Sequence, residues 1–150
     1  MAADTATIHA SAVLIGPKAV LIRGPAGSGK SRLVWDVLQA AAQGALPFAR
    51  LVGDDRVHVE THSGCLLVRP AAQLAGLLEI RGLGIRRLPY EPVAAVGLVV
   101  DLAAEDATRH PQGAATTVIA GLSLPRFVVA PGMTALPMVL AYLKSSTAGI

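Results

Sequence analysis

Aromatic residues are scarce in this chain of 150 residues: two Phe, two Tyr and one Trp, 3% of the whole. So few rings cannot build a base-stacking platform. The net charge is only +3, and the basic residues are scattered apart from Arg81, Arg86 and Arg87, so no nucleic-acid partner is expected. A single cysteine, Cys65, excludes an internal disulfide and favours a reducing, cytoplasmic setting. No apolar run reaches the roughly 18 residues of a membrane span, and Met1-Ala2-Ala3-Asp4 lacks the positive charge of a secretory signal. The four histidines, His9, His58, His62 and His110, show no zinc-like spacing. Charge is sparse as well, at 15% against 53% hydrophobic residues. Such a composition implies extensive burial or a surface that expects a partner, self-association included. The length suits one domain spanning residues 1–150.

Glycine, by contrast, is plentiful and placed. Gly24-Pro25-Ala26-Gly27-Ser28-Gly29-Lys30-Ser31 matches the phosphate-binding pattern G-x-x-x-x-G-K-[ST] in full. An apolar run, Ala19 to Ile22, precedes it and a helix-like stretch, Arg32 to Ala42, follows it. A strand ending at Gly24 and a helix starting near Lys30 aim several backbone N–H groups and the positive end of a helix at one spot. That arrangement suits a triphosphate. Lys30 is the residue of this motif that reaches the β- and γ-phosphates, and the Ser31 hydroxyl is the Mg²⁺ ligand.

Elsewhere the patterning alternates between short strands and few helices. Ala12 to Ile15 and Ala19 to Ile22 flank a tight turn at Gly16-Pro17-Lys18. Leu33, Val34, Val37, Leu38 and Ala41 form one helical face that ends at Gly44. Arg50 to Gly53 reads as a short buried strand, and Val57 to Val59 with Cys65 to Val68 reads as a hairpin. A short helix is expected at 70–74, a strand at Leu77 to Ile80, a loop at Gly82-Leu83-Gly84 and an apolar strand from Val96 to Val100. Weaker strands are expected at Thr116 to Ile119 and Phe127 to Val129. A last helix runs from Met133 to Lys144, with Pro137 in its first turn. Strands outnumber helices and several are hairpin-linked. The fold class is α/β: a mixed sheet carrying a P-loop and flanked by helices.

Carboxylates near the end of the third strand are the natural complement to the loop. Mg²⁺ takes oxygen ligands and keeps several waters, so one or two carboxylates complete its site. Asp54 and Asp55 follow the strand, and successive residues point to opposite sides, so one can serve the metal while the other faces an acceptor. Gly-Asp-Asp is also ordinary turn composition. Glu79 stands alone in an apolar run, either facing outward or bound to a metal. Arg81 pairs with a phosphate or neutralises Glu79. The arginines at 81, 86 and 87 form a solvated loop or a phosphate clamp over a small acceptor. His9, just before the first apolar run, is open to a structural or a functional reading.

Four segments in this order and spacing resemble the catalytic domain of HPr kinase/phosphorylase: Ile8-His9-Ala10-Ser11, Gly24 to Ser31, Leu51 to Val57, and Leu78-Glu79-Ile80-Arg81-Gly82-Leu83-Gly84-Ile85. The resemblance weakens after residue 85, where an arginine and an asparagine common in the family are replaced by Met133 and Thr134. It implies a P-loop fold of the HPr kinase/carboxykinase kind, ATP with Mg²⁺, and an HPr-like phosphocarrier as partner. It also implies a hexameric homo-oligomer and a short form without the family's N-terminal domain. In its terms Asp54 is the catalytic acid/base, Asp55 and Glu79 lie around the metal with Ser31, His9 stands beside the catalytic carboxylates, and Arg81 is the signature arginine. Arg109 is a candidate for a further active-site arginine. The expected activity is serine phosphorylation of the phosphocarrier, with phosphorolysis of the phosphoserine as the reverse reaction. A non-catalytic ATP-sensing module and a P-loop small-molecule kinase are the alternatives.

Overall fold

A computed structural model describes residues 6–104 and 116–146; Arg109 and His110 lie outside this range. In chain order the elements are β1 (Thr7–Ile15), β2 (Lys18–Arg23), α1 (Lys30–Ala42), β3 (Ala49–Gly53), β4 (Arg56–His62), β5 (Cys65–Pro70), β6 (Leu77–Ile80), β7 (Gly84–Arg87), β8 (Ala94–Asp101), β9 (Thr116–Ile119), β10 (Leu122–Val128) and α2 (Ala135–Lys144). A 3₁₀ turn at Ala72–Leu74 stands where a short helix was expected. The first strand begins at Thr7, ahead of the expected Ala12, β10 runs from Leu122 to Val128 where Phe127 to Val129 was expected, and β7 was not expected as a strand. Arg86 and Arg87 lie on this strand and not in a loop, because Leu77 to Ile80 pairs with it in an antiparallel two-stranded sheet.

The main sheet is mixed. β2 and β8 run parallel, as do β8 and β10, while β1 is antiparallel to β2, β3 and β4. β4 pairs with β5 and β5 with β8, both antiparallel. Since β8 also pairs with β2, the ladder β2–β1–β4–β5–β8 closes on itself. Long β1 makes this closure workable: Thr7 to His9 pair with β4, and Ala10 to Ile15 pair with β2.

Two apolar cores result. All five ring strands contribute to one, through residues such as Ala12, Leu21, Val57, Val68 and Val99. The other joins the opposite faces of β1, β2, β3 and β8 to the helices, through Val13, Ile22, Leu51, Val100, Val34, Val37 and Val139. Successive residues of β2 and β8 therefore enter different cores, Leu21 and Val99 one, Ile22 and Val100 the other. That double burial is why both strands read as unbroken apolar runs.

Helix α1 buries Leu33, Val34, Val37 and Ala40 against the sheet. Its start has no side-chain cap: Gly29, at φ 100°, occupies the cap position, so the first N–H groups keep their capacity for an outside acceptor. Gly44, at φ 85°, ends it as expected. Pro137 sits in the first turn of α2, where its missing N–H costs no helical bond.

At the carboxyl ends of the parallel strands, Asp101 of β8 is gripped from both sides. Arg23 of β2 donates to both its oxygens at 2.7 and 2.8 Å, and Arg126 of β10 donates to Oδ2. Burial alone would raise the Asp101 carboxyl; the hydrogen bonds from Arg23 and Arg126 and their charges outweigh it and hold the group below its usual value. A lowered folded-state pKa gives stability that is complete above the unfolded value and is lost as pH falls through the folded one. Asp101→Asn should cost about 3 kcal/mol at neutral pH, and the gap to the parent should begin to narrow only below about pH 4; urea unfolding at neutral and acidic pH measures this.

Gly53 ends β3 immediately before the two aspartates. A Cβ there would lie 2.7 Å from Val57 Cγ1 and 3.1 Å from Pro70 Cα. Gly53→Ala should destabilise the fold by about 1–3 kcal/mol, read as a lower denaturation midpoint with an unchanged slope.

Candidate active site

The phosphate-loop residues form the turn from β2 into α1. Gly24 has no room for a side chain, since a Cβ would meet Ser28 Oγ at 2.5 Å and the Leu102 carbonyl oxygen at 3.1 Å. Gly27 and Gly29 take φ of 80° and 100° with open space beside them, the left-handed conformation that glycine adopts at little cost. Ser28 Oγ is buried with no hydrogen-bond partner among the described residues. Lys30 is 7% exposed and folds back over the loop, donating to the carbonyl oxygens of Gly24 at 2.8 Å and Pro25 at 3.1 Å. Burial lowers the pKa of its ammonium, while the charges of Asp55 and Asp54 act in the opposite direction.

Strand β3 delivers the aspartates to this loop because β1 lies between β2 and β3 in the sheet. Asp54 points inward and is 5% exposed. Its Oδ1 accepts from Ser31 Oγ at 2.7 Å and from Ser11 Oγ at 2.6 Å; its Oδ2 accepts from Ser31 Oγ at 2.9 Å and from the Glu79 backbone N–H at 3.3 Å. Asp55 takes φ 69°, a left-handed turn that aspartate tolerates better than most residues. That turn sends its side chain outward, 64% exposed, where His9 Nε2 lies 3.1 Å from Oδ1.

A cavity of about 700 Å³ opens over these groups. Gly27, Gly29, Lys30 and Ser31 form one wall; His9 and Asp55 form another; Glu79, Ile80 and Arg81 of the β6 hairpin close a third. Trp35, one helical turn beyond Ser31, also faces it. Ala26, Gly27 and Gly29 to Ser31 thus meet His9, Asp55, Glu79 and Arg81 around one space, with Asp54 just behind its wall; Gly24, Pro25 and Ser28 do not line it. Glu79 is exposed on β6 while Leu78 beside it is fully buried, so the carboxylate in the apolar run faces outward into the cavity. No ion pair joins Glu79 to Arg81 among the described residues.

Two residues of this site escaped sequence reasoning. Ser11 reaches Asp54 across the sheet, and its signal was a lone hydroxyl inside an apolar strand. Trp35 was visible only as the chain's single tryptophan; its spacing of four from Ser31 puts both on one helix face.

The donor set can be tested against a magnesium-bound triphosphate. Among the described residues no group of three or more His, Cys, Asp or Glu converges as a metal cage. A hydroxyl and a carboxylate beside a phosphate-binding loop are what Mg²⁺ uses when phosphates and water complete its shell. The open space beside Gly27 and Gly29 and the uncapped helix start fit the phosphates. The residues therefore fit this ligand pair, with Ser31 and a neighbouring carboxylate on the metal side.

No family model matches the chain. Over 84 residues it is 39% identical to the HPr kinase/phosphorylase of Streptococcus thermophilus (strain ATCC BAA-491 / LMD-9), a stretch that covers 55% of this chain and 25% of that protein. Over 81 residues it is 36% identical to the HPr kinase/phosphorylase of Mycoplasma mycoides subsp. mycoides SC, covering 54% and 24%. The match thus spans about a quarter of the length of these curated relatives. The fold is that of the Hpr(Ser) kinase/phosphatase from Coxiella burnetii, with a TM-score of 0.75 at 22% identity over 93% of this chain and 88% of that one. In sequence over 84 residues the chain is similar to HPr kinase/phosphorylases, and over nearly its whole length it shares the fold of an Hpr(Ser) kinase/phosphatase.

Proposed function

We propose that this chain transfers the terminal phosphoryl group of ATP to a serine hydroxyl of an HPr-like phosphocarrier protein. The observation that carries the reading is the meeting of a glycine-rich loop, its lysine and serine, and the Asp55–His9 pair around one cavity, with the Asp54 carboxylate bonded to that serine just behind the wall. Phosphoryl transfer asks little covalent work of a protein; alignment and charge neutralisation supply most of the rate. The loop amides and Lys30 hold the phosphates. Ser31, with Asp55 or Glu79, would hold the metal. Mg²⁺ supplies charge neutralisation across the β- and γ-phosphates when bound. Arg81, on the far wall, meets the acceptor or its phosphate. In the reverse direction the same groups would receive inorganic phosphate and release pyrophosphate.

The resemblance gives the task of proton acceptor to Asp54. A second reading rests on exposure: Asp55 lines the cavity beside His9, whereas Asp54 is turned to Ser11 and Ser31. Asparagine variants separate the two. At the base, substitution abolishes transfer and leaves ATP affinity and the Mg²⁺ requirement nearly unchanged. At the metal, it raises the Mg²⁺ concentration needed for half-maximal rate. The first pattern is expected at Asp54; finding it at Asp55 instead would exchange the roles.

The decisive assay supplies labelled ATP, Mg²⁺ and an HPr-like carrier, and locates the label by mass spectrometry. Label on a carrier serine supports the reading. Label on a small metabolite alone points to a small-molecule kinase with Arg81, Arg86 and Arg87 around its acceptor; ATP affinity with no turnover points to a sensing module.

Trp35 gives a direct readout of occupancy, being the only tryptophan and facing the cavity. MgATP should shift its emission. Lys30→Met should remove that response at concentrations that saturate the parent, with a fall in affinity of at least tenfold, about 1.4 kcal/mol.

A further inference from the structure

Ser11 has no exposed surface. It lies on β1 between Ala10 and Ala12, whose side chains enter the ring core. Strand alternation turns Ser11 the other way, toward the turn that carries the aspartates. A hydroxyl sealed from water among apolar strands costs free energy unless it is paired. This one is paired twice. Its Oγ donates to Asp54 Oδ1 at 2.6 Å and accepts a longer bond, 3.4 Å, from the Asp55 backbone N–H. One side chain therefore holds the carboxylate of Asp54 and the backbone of Asp55.

Ser31 also donates to Asp54, but Ser31 lines the cavity and Ser11 does not. The two hydroxyls thus differ in what they are free to do. Ser31 can turn to a ligand in the cavity. Ser11 has only the aspartate turn to bind. We infer that Ser11 is a positioning residue: it keeps Asp54 oriented and the left-handed turn at Asp55 in place when the Ser31 hydroxyl leaves Asp54 for a magnesium-bound phosphate. This rests on the phosphoryl-transfer reading above. Ser11 touches neither nucleotide nor acceptor and acts through the two aspartates. Groups of this kind, one step removed from a metal, carry about ten- to a hundredfold in affinity or activity.

The test compares Ser11→Ala and Ser11→Thr with the parent in three measurements: thermal melting, binding of labelled ATP with and without Mg²⁺, and the Mg²⁺ dependence of transfer to an HPr-like carrier. Ser11→Ala should keep ATP affinity in the absence of Mg²⁺ within about twofold, lose about tenfold or more in transfer rate, and need more Mg²⁺ for half its maximal rate. Ser11→Thr keeps the hydroxyl and should recover most of the loss. A purely structural role would lower the melting temperature and leave the Mg²⁺ dependence alone. A folded Ser11→Ala protein with the parent's rate and Mg²⁺ dependence overturns the inference. Should Ser11→Ala not fold, Ser11→Cys, close in size and a weak donor, is read by the same criteria. If the parent itself transfers nothing, the proposed function fails, while the Mg²⁺ dependence of ATP binding in the same variants still decides the role of Ser11.

Discussion

The carboxylate of Asp54 ties together segments that are distant in the chain. It accepts from Ser11 on β1, from Ser31 in the first turn of α1 and from the Glu79 backbone on β6. Each of these segments belongs to a different piece of architecture: the strand that pairs with β2, β3 and β4, the helix that follows the loop, and the separate hairpin. A buried carboxylate with three kinds of donor around it has few orientations open to it, and the donors have few alternative acceptors away from water. The relative placement of loop, aspartates and hairpin follows from this one group.

Charge is arranged economically around it. The chain carries only 10 acidic and 13 basic residues, yet Asp36, Asp55 and Glu79 all line the cavity and Asp54 lies just behind its wall. Lys30 is the cation close enough to both aspartates to feel their charge, and burial works against its protonation. Asp101, a half-buried acid on the strand beside β2, is neutralised away from the cavity by Arg23 and Arg126. It ends an apolar strand parallel to β2, the place where a carboxylate often serves a P-loop. Its two arginine partners give it a different task, joining β2, β8 and β10.

Much of this was legible without coordinates. The double-buried strands β2 and β8 announced themselves as unbroken apolar runs, the hairpin of β4 and β5 by its polar turn, and helix α1 by its apolar face and terminal glycine. Those signals are local, and local chemistry explains them. The β7 strand was missed because Gly84-Ile85-Arg86-Arg87 is fully exposed: a strand held only by its partner, with no face to bury, shows no alternation. The closure of the ring was equally invisible. It depends on β1 bending so that its two halves pair with different strands, and on β8 meeting both β2 and β5; no short window contains that information.

By itself the sequence determined the chemistry on offer: a loop that presents N–H groups to phosphate, a lysine and a hydroxyl at its end, and acids at the end of a buried strand. Each of these follows from residue type and spacing within a few positions. Only the tertiary structure decided which of two neighbouring aspartates is sealed and which is open, that a serine 43 residues away would hold the sealed one, and that the Glu79 side chain faces the cavity while its backbone reaches Asp54. The reason is that burial and hydrogen-bond partnership are properties of packing between strands far apart in the chain. Adjacent residues of the same type then acquire different surroundings from the fold alone.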